Sequence, residues 1–344
     1  MDVLDEARFA ELSERHRHEL QVHSYRMLGN LEQAEDAVQE ALLRAWKGRA
    51  SFDGGPAARA WLYRIVTTTC LDILRTERSR GMAARMDGLN AESIADVPWL
   101  QPCPDALLDA AGGPEEAAIR RETVELAYLA VIQLLPARQR AVLLLREVQG
   151  YSAAETARLL GLTVGSVTSA LQRARATIAE RVAARDADWS PAGITGSDRA
   201  LLAAFIEAHE RQDPVAGLAV IRADIRVSMP PNPGLFTGRE VVAGLMAQAY
   251  DRTAFGDWRL LPTAANRMPA AASYLRRAGS DRYLPFKLDV LRTGGGLIAE
   301  ITTFDAALFD RFGLPASLPA TRESGPRDRP GSPAASHTRM PPFA

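Results

Sequence analysis

The spacing of apolar residues predicts helices in the first part of the chain and strands in the last part. From Asn30, a plausible helix cap, apolar residues recur every three or four positions as far as Ala45, and a similar pattern runs from about Ala57 to Arg78. Helical spacing resumes over 117–135, 137–148, 152–160 and 163–184. Beyond residue 198, two helical segments accompany short runs typical of strands at 225–229, 258–261, 270–276, 283–291 and 297–304. These patterns predict helical domains followed by an α+β domain.

Two interruptions divide the chain. Residues 86–118 contain acidic residues, four prolines and no basic residue, which predicts an acidic, mostly irregular linker. A second linker contains Pro191, and the proline-rich end of the chain has few large apolar side chains, so we expect it to be disordered. The predicted segments are 1–85, 86–118, 119–185, 186–197, 198–318 and 319–344.

The helical segments 152–160 and 163–184 have the layout of a helix-turn-helix. Ser152 and Glu155 form a capping box, Gly161 begins a short turn, and the next helix has an apolar stripe from Val167 to Ile178. The hydroxyl, amide and guanidinium groups outside that stripe suit the major groove of DNA: Ser166, Thr168, Ser169, Gln172, Arg173 and Arg175. Residues 120–186 contain ten arginines and six acidic residues, although the whole chain has a net charge of −1. The alternative is an ordinary solvated helix pair.

Aromatic residues alternate with arginines in the helix that follows residue 57. Trp61 and Tyr63 lie among the six arginines and two acidic residues of 59–85, and Phe52 shortly precedes them. Such a surface stacks on exposed bases and neutralises backbone phosphate. The alternative is that Trp61 belongs to the core and the arginines only solvate one face.

Composition excludes several classes of protein. Hydrophobic residues make up 47% and charged residues 24%, as in ordinary soluble domains. The two cysteines cannot form a disulfide framework or a zinc site, and no histidine has metal-ligand spacing, so we expect neither a metal nor an organic cofactor. No apolar run approaches the roughly 20 residues of a membrane span, and the first 30 residues carry several acids, which argues against secretion. We therefore expect a cytoplasmic protein that does not bind a membrane.

Four motifs in this order resemble the bacterial sigma-70 family of RNA polymerase sigma factors, specifically its extracytoplasmic-function type. They are Ala34-Glu-Asp-Ala-Val-Gln-Glu40, Arg59-Ala-Trp-Leu-Tyr-Arg-Ile65, Leu135-Pro-Ala-Arg-Gln-Arg-Ala-Val142 and Gly165-Ser-Val-Thr-Ser-Ala-Leu-Gln-Arg-Ala-Arg175. Segments 19–29, 98–105 and 229–240 resemble a subgroup with a fused third domain. In that subgroup the third domain is SnoaL-like, a cone-shaped α+β fold, which agrees with the strands expected over 198–318.

The resemblance implies a dissociable subunit that directs core RNA polymerase to promoters and helps to open them. The polymerase-binding residues would be Glu35, Asp36, Gln39 and Glu40. The minus-ten element, as duplex and as the opened strand, would be engaged by Arg59, Trp61, Arg64, Thr68, Arg75 and Arg78. The helix from Thr163 would read the minus-thirty-five element. The family often has Lys and Arg where this chain has Thr168 and Ala170, and usually Asn where Thr68 stands, which concerns the promoter that is read.

Two other functions remain open at this point. One is a helix-turn-helix regulator with a ligand-sensing domain, and the other is an enzyme built on the SnoaL-like domain. Candidate acid and base residues are His209, Asp224, Glu300 and Asp305, but no spacing shows that any two converge, so no catalytic residue is predicted. The short tether at 186–197 favours a third domain that regulates the DNA-reading domains in cis, by docking on the linker near Trp99 or on the first domain. An anti-sigma partner and a small ligand stay unassigned.

Overall fold

Helices form the first part of the molecule and a sheet forms the last part, as the sequence predicts. The computed structural model describes residues 4–52, 58–77, 97–109, 125–183 and 194–320. The helices are α1 (Glu6–Leu28), α2 (Leu31–Gly48), α3 (Ala58–Glu77), α4 (Asp105–Asp109), α5 (Leu126–Gln133), α6 (Ala137–Leu143, continued by a π turn, Leu144–Val148), α7 (Ala153–Leu160), α8 (Val164–Ala183), α9 (Gly196–Arg211), α10 (Pro214–Ala219) and α11 (Arg239–Ala249). The strands are β1 (Ile221–Met229), β2 (Asn232–Thr237), β3 (Asp257–Ala265), β4 (Met268–Arg276), β5 (Arg282–Gly294), β6 (Leu297–Asp305) and β7 (Leu318–Pro319).

Helices α1, α2 and α3 form the first bundle. Gly29 ends α1 with a left-handed backbone (φ 72°), a conformation that costs glycine little, and its N–H donates to the carbonyl of Tyr25. Asn30 then caps α2, because its Oδ1 accepts from the N–H of Gln33 at 3.0 Å. The tight turn sets α1 and α2 against each other, and α3 packs on both.

The second helical unit contains the helix-turn-helix. Both bonds of the predicted capping box form at the start of α7: the N–H of Glu155 donates to Ser152 Oγ, and the N–H of Ser152 donates to the Glu155 carboxylate. Gly161 ends α7 with φ 63°. The predicted apolar stripe of α8 is buried at Val167, Ala170, Leu171 and Ala174.

The last unit is a curved sheet with helices against one face. The strand order is β2-β1-β6-β5-β4-β3, in which only the β1–β6 pair is parallel, and β7 pairs with β5. Phe205 of α9 and Met246 of α11 are buried against Trp258 and Leu291 of the sheet, inside the cone. The opposite face, including Tyr274 and Leu288, shares one continuous buried cluster with the helical domains.

The structure adds detail to the sequence-based organisation at two places. The acidic linker is not wholly irregular, because within 97–109 it buries Val97, Leu100, Cys103 and Leu108 and forms the short helix α4. Apolar anchors spaced between acids and prolines explain why charge patterning alone misses this packing. The tail predicted from residue 319 begins inside β7, which pairs with Arg282 and Tyr283 of β5. Residues 86–96, 110–118 and 321–344 lie outside the described part of the chain.

The sequence pattern does not predict strand β2. The segment Met229-Pro-Pro-Asn-Pro233 contains three prolines, yet β2 begins at Asn232 and pairs with β1 from Met229 to Arg226. Proline is tolerated there because β2 is an edge strand, where one side of the backbone needs no ladder partner.

Candidate functional sites

The predicted polymerase-binding residues lie on one side of α2. Asp36, Gln39 and Glu40 are exposed, whereas Glu35 is half-buried. Glu40 accepts from Arg44 at 2.8 Å, and Arg44 also pairs with Asp72 of α3 at 2.9 Å. The opposite side of α2 buries small residues, Ala34, Ala37, Ala41 and Ala45, which lets α2 approach its neighbours closely. The sequence thus presents a carboxylate-rich face on a firmly packed helix.

An apolar groove borders this acidic face. It lies between α1 and α2, where the rings of Phe9 and Trp46 are 5.2 Å apart, and Gln39 and Leu43 line it. Leu43 is 55% exposed, an unusual position for a large apolar side chain. An acidic rim beside an exposed leucine suits a partner surface that is basic with an apolar centre.

Most of the predicted minus-ten residues share one stripe of α3. At 100° per residue, Trp61, Arg64, Thr68 and Arg75 fall within about 60° of each other. Arg64 and Thr68 are exposed, the side chain of Arg75 is 80% exposed, and the ring of Trp61 lies 4.9 Å from that of Phe52. This stripe combines two guanidinium groups with a tilted aromatic pair. Arg78 lies outside the described residues.

Arg59 does not lie on that stripe. It projects from the other side of α3, where it pairs with Glu19 at 2.8 Å and donates to Gln149 Oε1 at 2.9 Å. Burial opposes the charge of Arg59, but the hydrogen bond and charge of Glu19 outweigh it and raise the pKa of the guanidinium. Burial also opposes the charge of Glu19, and the bonds from Arg59 and His16 nevertheless lower its pKa. The predicted DNA contact is thus engaged between domains in this arrangement.

The predicted minus-thirty-five residues are all exposed on α8. Ser169 and Gln172 lie opposite the buried stripe, Ser166 and Arg173 lie on one flank, and Thr168 and Arg175 lie on the other. Arg175 pairs with Glu147 at 2.5 Å, whereas the ends of Gln172 and Arg173 face solvent. The helix therefore offers a polar, cationic surface of the width that enters a major groove.

The two helical domains are packed together. Tyr63 of α3 donates to Gln149 Oε1 at 2.9 Å and its ring meets that of Tyr151 at 5.8 Å. Gln133 Nε2 donates to the carbonyl of Arg26 at 3.0 Å, and the buried Arg140 donates to the carbonyl of Met27. These contacts join the end of α1 and the side of α3 to the second helical unit.

The third domain reaches the helical domains through the tip of its β3–β4 hairpin. Asn266 and Arg267 form the two-residue turn, both with left-handed backbones (φ 54° and 64°). Asn266 is fully buried, its Oδ1 accepts from the N–H of Cys103 at 2.7 Å, and its Nδ2 donates to the hydroxyl of Tyr25 at 2.9 Å. The N–H of Arg267 donates to Asp105 at 2.8 Å. The hairpin thus holds the linker and α1 at once.

A second contact reaches the acidic face directly. Arg311, in the 3-10 turn Ala306–Phe312, forms an ion pair with Glu35. The bond and charge of Glu35, with the nearby charges of Glu32 and Asp36, raise the pKa of Arg311. The sequence gives little signal for this contact, since one arginine among many marks no motif.

The four candidate acid and base residues of the third domain have separate environments. His209 lies inside the cone, where burial and the charge of Lys287 lower its pKa to about 4. Asp224 is exposed and accepts two bonds from Arg222, Glu300 is paired with Arg292, and Asp305 caps the following turn. The carboxylate that does line the cone cavity, Asp289, was not predicted.

Comparison with known families identifies the two helical units. Residues 12–80 match Sigma-70 region 2, and residues 125–178 match Sigma-70, region 4. In the described part of the chain, no helix has the length and apolar character needed to cross a membrane. No cluster of three or more possible metal ligands occurs among those residues either.

Known proteins resemble the chain along most of its length. The ECF RNA polymerase sigma factor SigG of Mycobacterium tuberculosis is 39% identical over 317 residues, covering 90% of this chain and 85% of SigG. SigW of Bacillus subtilis is 29% identical over 179 residues, 52% of this chain and 90% of SigW. The crystal structure of the M. tuberculosis extracytoplasmic function sigma factor SigJ superposes with a TM-score of 0.57, at 18% identity, over 89% of this chain and 99% of SigJ, which supports the SnoaL-like fold of the third domain. The chain therefore belongs to the extracytoplasmic-function sigma factors of the sigma-70 family.

Proposed function

We propose that the chain initiates transcription as a sigma subunit of RNA polymerase and that its third domain regulates it in cis by holding a closed arrangement. The observation that carries the regulatory part is the pair of contacts made by Asn266 and Arg311 with the first domain and linker. Family membership removes the rival of a plain helix-turn-helix regulator, since region 2 is present. The protein would act in the cytoplasm, where core polymerase and DNA are found.

The binding roles follow from the surfaces. The face of α2 with Glu35, Asp36, Gln39 and Glu40, together with the groove at Leu43, would contact core polymerase. The stripe of α3 from Trp61 to Arg75 would engage the minus-ten element and its opened strand. The exposed residues of α8 from Ser166 to Arg175 would read the minus-thirty-five element. Arg59 would join the minus-ten surface only after Gln149 leaves it.

Distance requires the two reading domains to separate. The promoter elements lie about 25 base pairs apart, which is about 85 Å of duplex at 3.4 Å per base pair. Helices α3 and α8 have 20 residues each, so even end to end they span about 60 Å. Domains that touch through Arg59 and Gln149 cannot reach both elements. The packed arrangement is therefore idle, and promoter binding has to break these contacts.

The third domain opposes that opening at two points. Its hairpin tip holds the linker, which must extend when the two reading domains separate. The N–H of Cys103 donates to Asn266, and Asp105 accepts from the N–H of Arg267. Arg311 occupies Glu35, one of the carboxylates that polymerase would contact. We assign this domain a binding role rather than a catalytic one, since His209, Asp224, Glu300 and Asp305 are each held by different neighbours.

Run-off transcription with core polymerase tests the proposal. The full chain is compared with a chain ending after Ala184, which lacks the third domain, and with a control ending at Ala320, which lacks only 321–344. We expect the shorter chain to transcribe several-fold more at matched polymerase occupancy, and the control to match the full chain. Equal transcription by all three would refute cis regulation, and no transcription from any of them would refute the sigma activity.

A charge reversal separates the two contacts. Arg311→Glu places a carboxylate against the acidic face of α2, so core polymerase should bind about threefold more tightly, as expected for a partly exposed pair. Arg277→Glu, an exposed position of the same domain, is the matched control. Equal polymerase affinity for the two variants would remove Arg311 from the regulatory contact.

A further inference from the structure

The cone of the third domain encloses a cavity of about 330 Å³, within the range of sites for small organic molecules. Its wall is largely apolar and includes several aromatic rings. Trp258 and Phe286 meet edge to face at 5.1 Å, Phe255 stacks at 6.2 Å from Trp258, and Tyr250 closes another side. Aromatic rings pack favourably, offset or edge to face, against another ring, so this wall favours an occupant that is itself a ring.

One end of the cavity is polar. Asp289 is fully buried there, and its carboxylate accepts from Thr303 at 2.7 Å and pairs with Lys287 at 2.8 Å. Lys287 Nζ also lies 5.7 Å from the centre of the Trp258 ring. Because the Asp289 carboxylate already accepts from Thr303 and Lys287, it is a poor acceptor for a ligand. The Lys287 ammonium has three N–H donors, so donors remain after its bond to Asp289. The polar end therefore offers donors, and its two charges cancel.

A neutral histidine lies on the same wall. His209 Nδ1 is 3.1 Å from the carbonyl of Phe205. The hydroxyl of Tyr250 lies 3.0 Å from the same nitrogen. Burial, with the charge of Lys287, keeps the pKa of His209 near 4, so the ring adds no charge at neutral pH.

We propose that this cavity binds a small, neutral, ring-bearing molecule through its aromatic wall, with one ligand oxygen that accepts a hydrogen bond from Lys287. A charged ligand is disfavoured because the Lys287–Asp289 pair leaves no net charge to match it. A protein segment is disfavoured because a cavity of about 330 Å³ accommodates only a few side chains. The site is separate from the acidic face and the DNA-reading helices, so it does not depend on how they act.

Prodan, a neutral naphthalene with one ketone, is a suitable probe because its emission shifts to the blue in apolar surroundings. The full chain should bind one prodan molecule with micromolar affinity, with blue-shifted emission and energy transfer from tryptophan. Trp258→Phe should reduce that transfer. Absence of saturable binding by the full chain would overturn the proposal.

Two alanines of α11 provide a matched pair. Ala249 lines the cavity, whereas Ala247 is exposed on the same helix. Ala249→Phe should reduce prodan affinity at least tenfold, Ala249→Val should reduce it less, and Ala247→Phe should leave it unchanged. The graded Val variant retains the test if the Phe variant fails to fold. Equal affinity for all three variants would place the probe elsewhere on the protein and overturn the assignment.

The polar end is tested by removing both charges together, so that no lone buried charge remains. Lys287→Met with Asp289→Asn should weaken prodan about tenfold but leave 2-dimethylaminonaphthalene, which lacks the ketone, unaffected. Equal losses for both probes would refute the hydrogen bond from Lys287 and leave a purely apolar site.

Discussion

The hairpin tip allows the closed arrangement to be loosened by one side chain. Asn266→Gly removes the acceptor for the Cys103 N–H and the donor to the Tyr25 hydroxyl, while glycine adopts the left-handed backbone of this position freely. The backbone bond from the N–H of Asn266 to the carbonyl of Cys103, at 2.9 Å, is kept. The substitution therefore isolates the side-chain contribution to docking.

The expected loss of docking free energy follows from the buried N–H of Cys103, which loses its acceptor. A buried N–H left without a partner costs about 1–3 kcal/mol, and Tyr25 still donates to the carbonyl of Gln101 at 2.7 Å, so its loss is smaller. We take about 2 kcal/mol in total, which raises the ratio of undocked to docked molecules about 30-fold. Transcription by the full chain should rise in the same direction.

Hydrogen–deuterium exchange measures this ratio at the contact itself. Protection of the peptide covering 97–109 should fall by up to about 30-fold in Asn266→Gly, while β5 and β6 remain protected as in the parent chain. Ser280→Gly is the control, because the hydroxyl of Ser280 bonds to the backbone of Arg282 within its own turn. Unchanged exchange over 97–109 in a folded Asn266→Gly protein would show that the hairpin does not hold the linker.

Three further predictions concern the binding surfaces and the cone. Asp36→Arg with Glu40→Arg should abolish copurification with core polymerase, while Glu11→Arg, an exposed reversal on α1 outside the groove at Leu43, should not; normal binding by the double variant would refute the α2 assignment. Arg173→Ala should weaken promoter binding by about 1–3 kcal/mol if the contact is to a base, or lower the salt slope by about one if it is to phosphate, and binding unchanged at every salt concentration would exclude Arg173. The pKa of His209 is about 4 in the folded protein and 6.5 in the unfolded chain, so its stabilising contribution is fully present above pH 6.5. As the pH falls from 6.5 to 4, up to about 3 kcal/mol of the free energy of unfolding is lost. Denaturant unfolding of His209→Gln should therefore show a flatter dependence of stability on pH.

Local sequence rules predict the helical units well because their determinants are local. The caps at Asn30 and Ser152, the turn at Gly161 and the stripe from Val167 to Ala174 each act within one or two helical turns, and each occurs as expected. Outward side chains of α8 follow from the same periodicity. The family resemblance rests on these regular segments.

Contacts between distant segments are what local patterns miss. Arg59 and Trp61 are two residues apart in an aromatic, basic stretch, yet they project from different sides of α3 and only Arg59 meets Gln149, 90 residues away. Asn266 and Cys103 are separated by 163 residues, and neither lies in a motif that signals pairing. Asp289 follows Lys287 by two residues on one strand, but only the folded sheet shows that both line a cavity. Such pairings depend on domain packing, which no window of the sequence contains.

The cavity and the docking contacts share the same strands. Strand β5, which carries Lys287 and Asp289, pairs with β4, and β4 begins immediately after the hairpin tip at Asn266. Strand β6 carries Thr303 and leads into the turn that presents Arg311 to Glu35. A molecule in the cavity would thus touch both strands that hold the closed arrangement. Such a molecule would shift the balance between closed and open chains only if its affinities for the closed and the open chain differ. By reciprocity, weakening the hairpin contact would raise the apparent affinity of a molecule that prefers the open chain and lower that of one that prefers the closed chain.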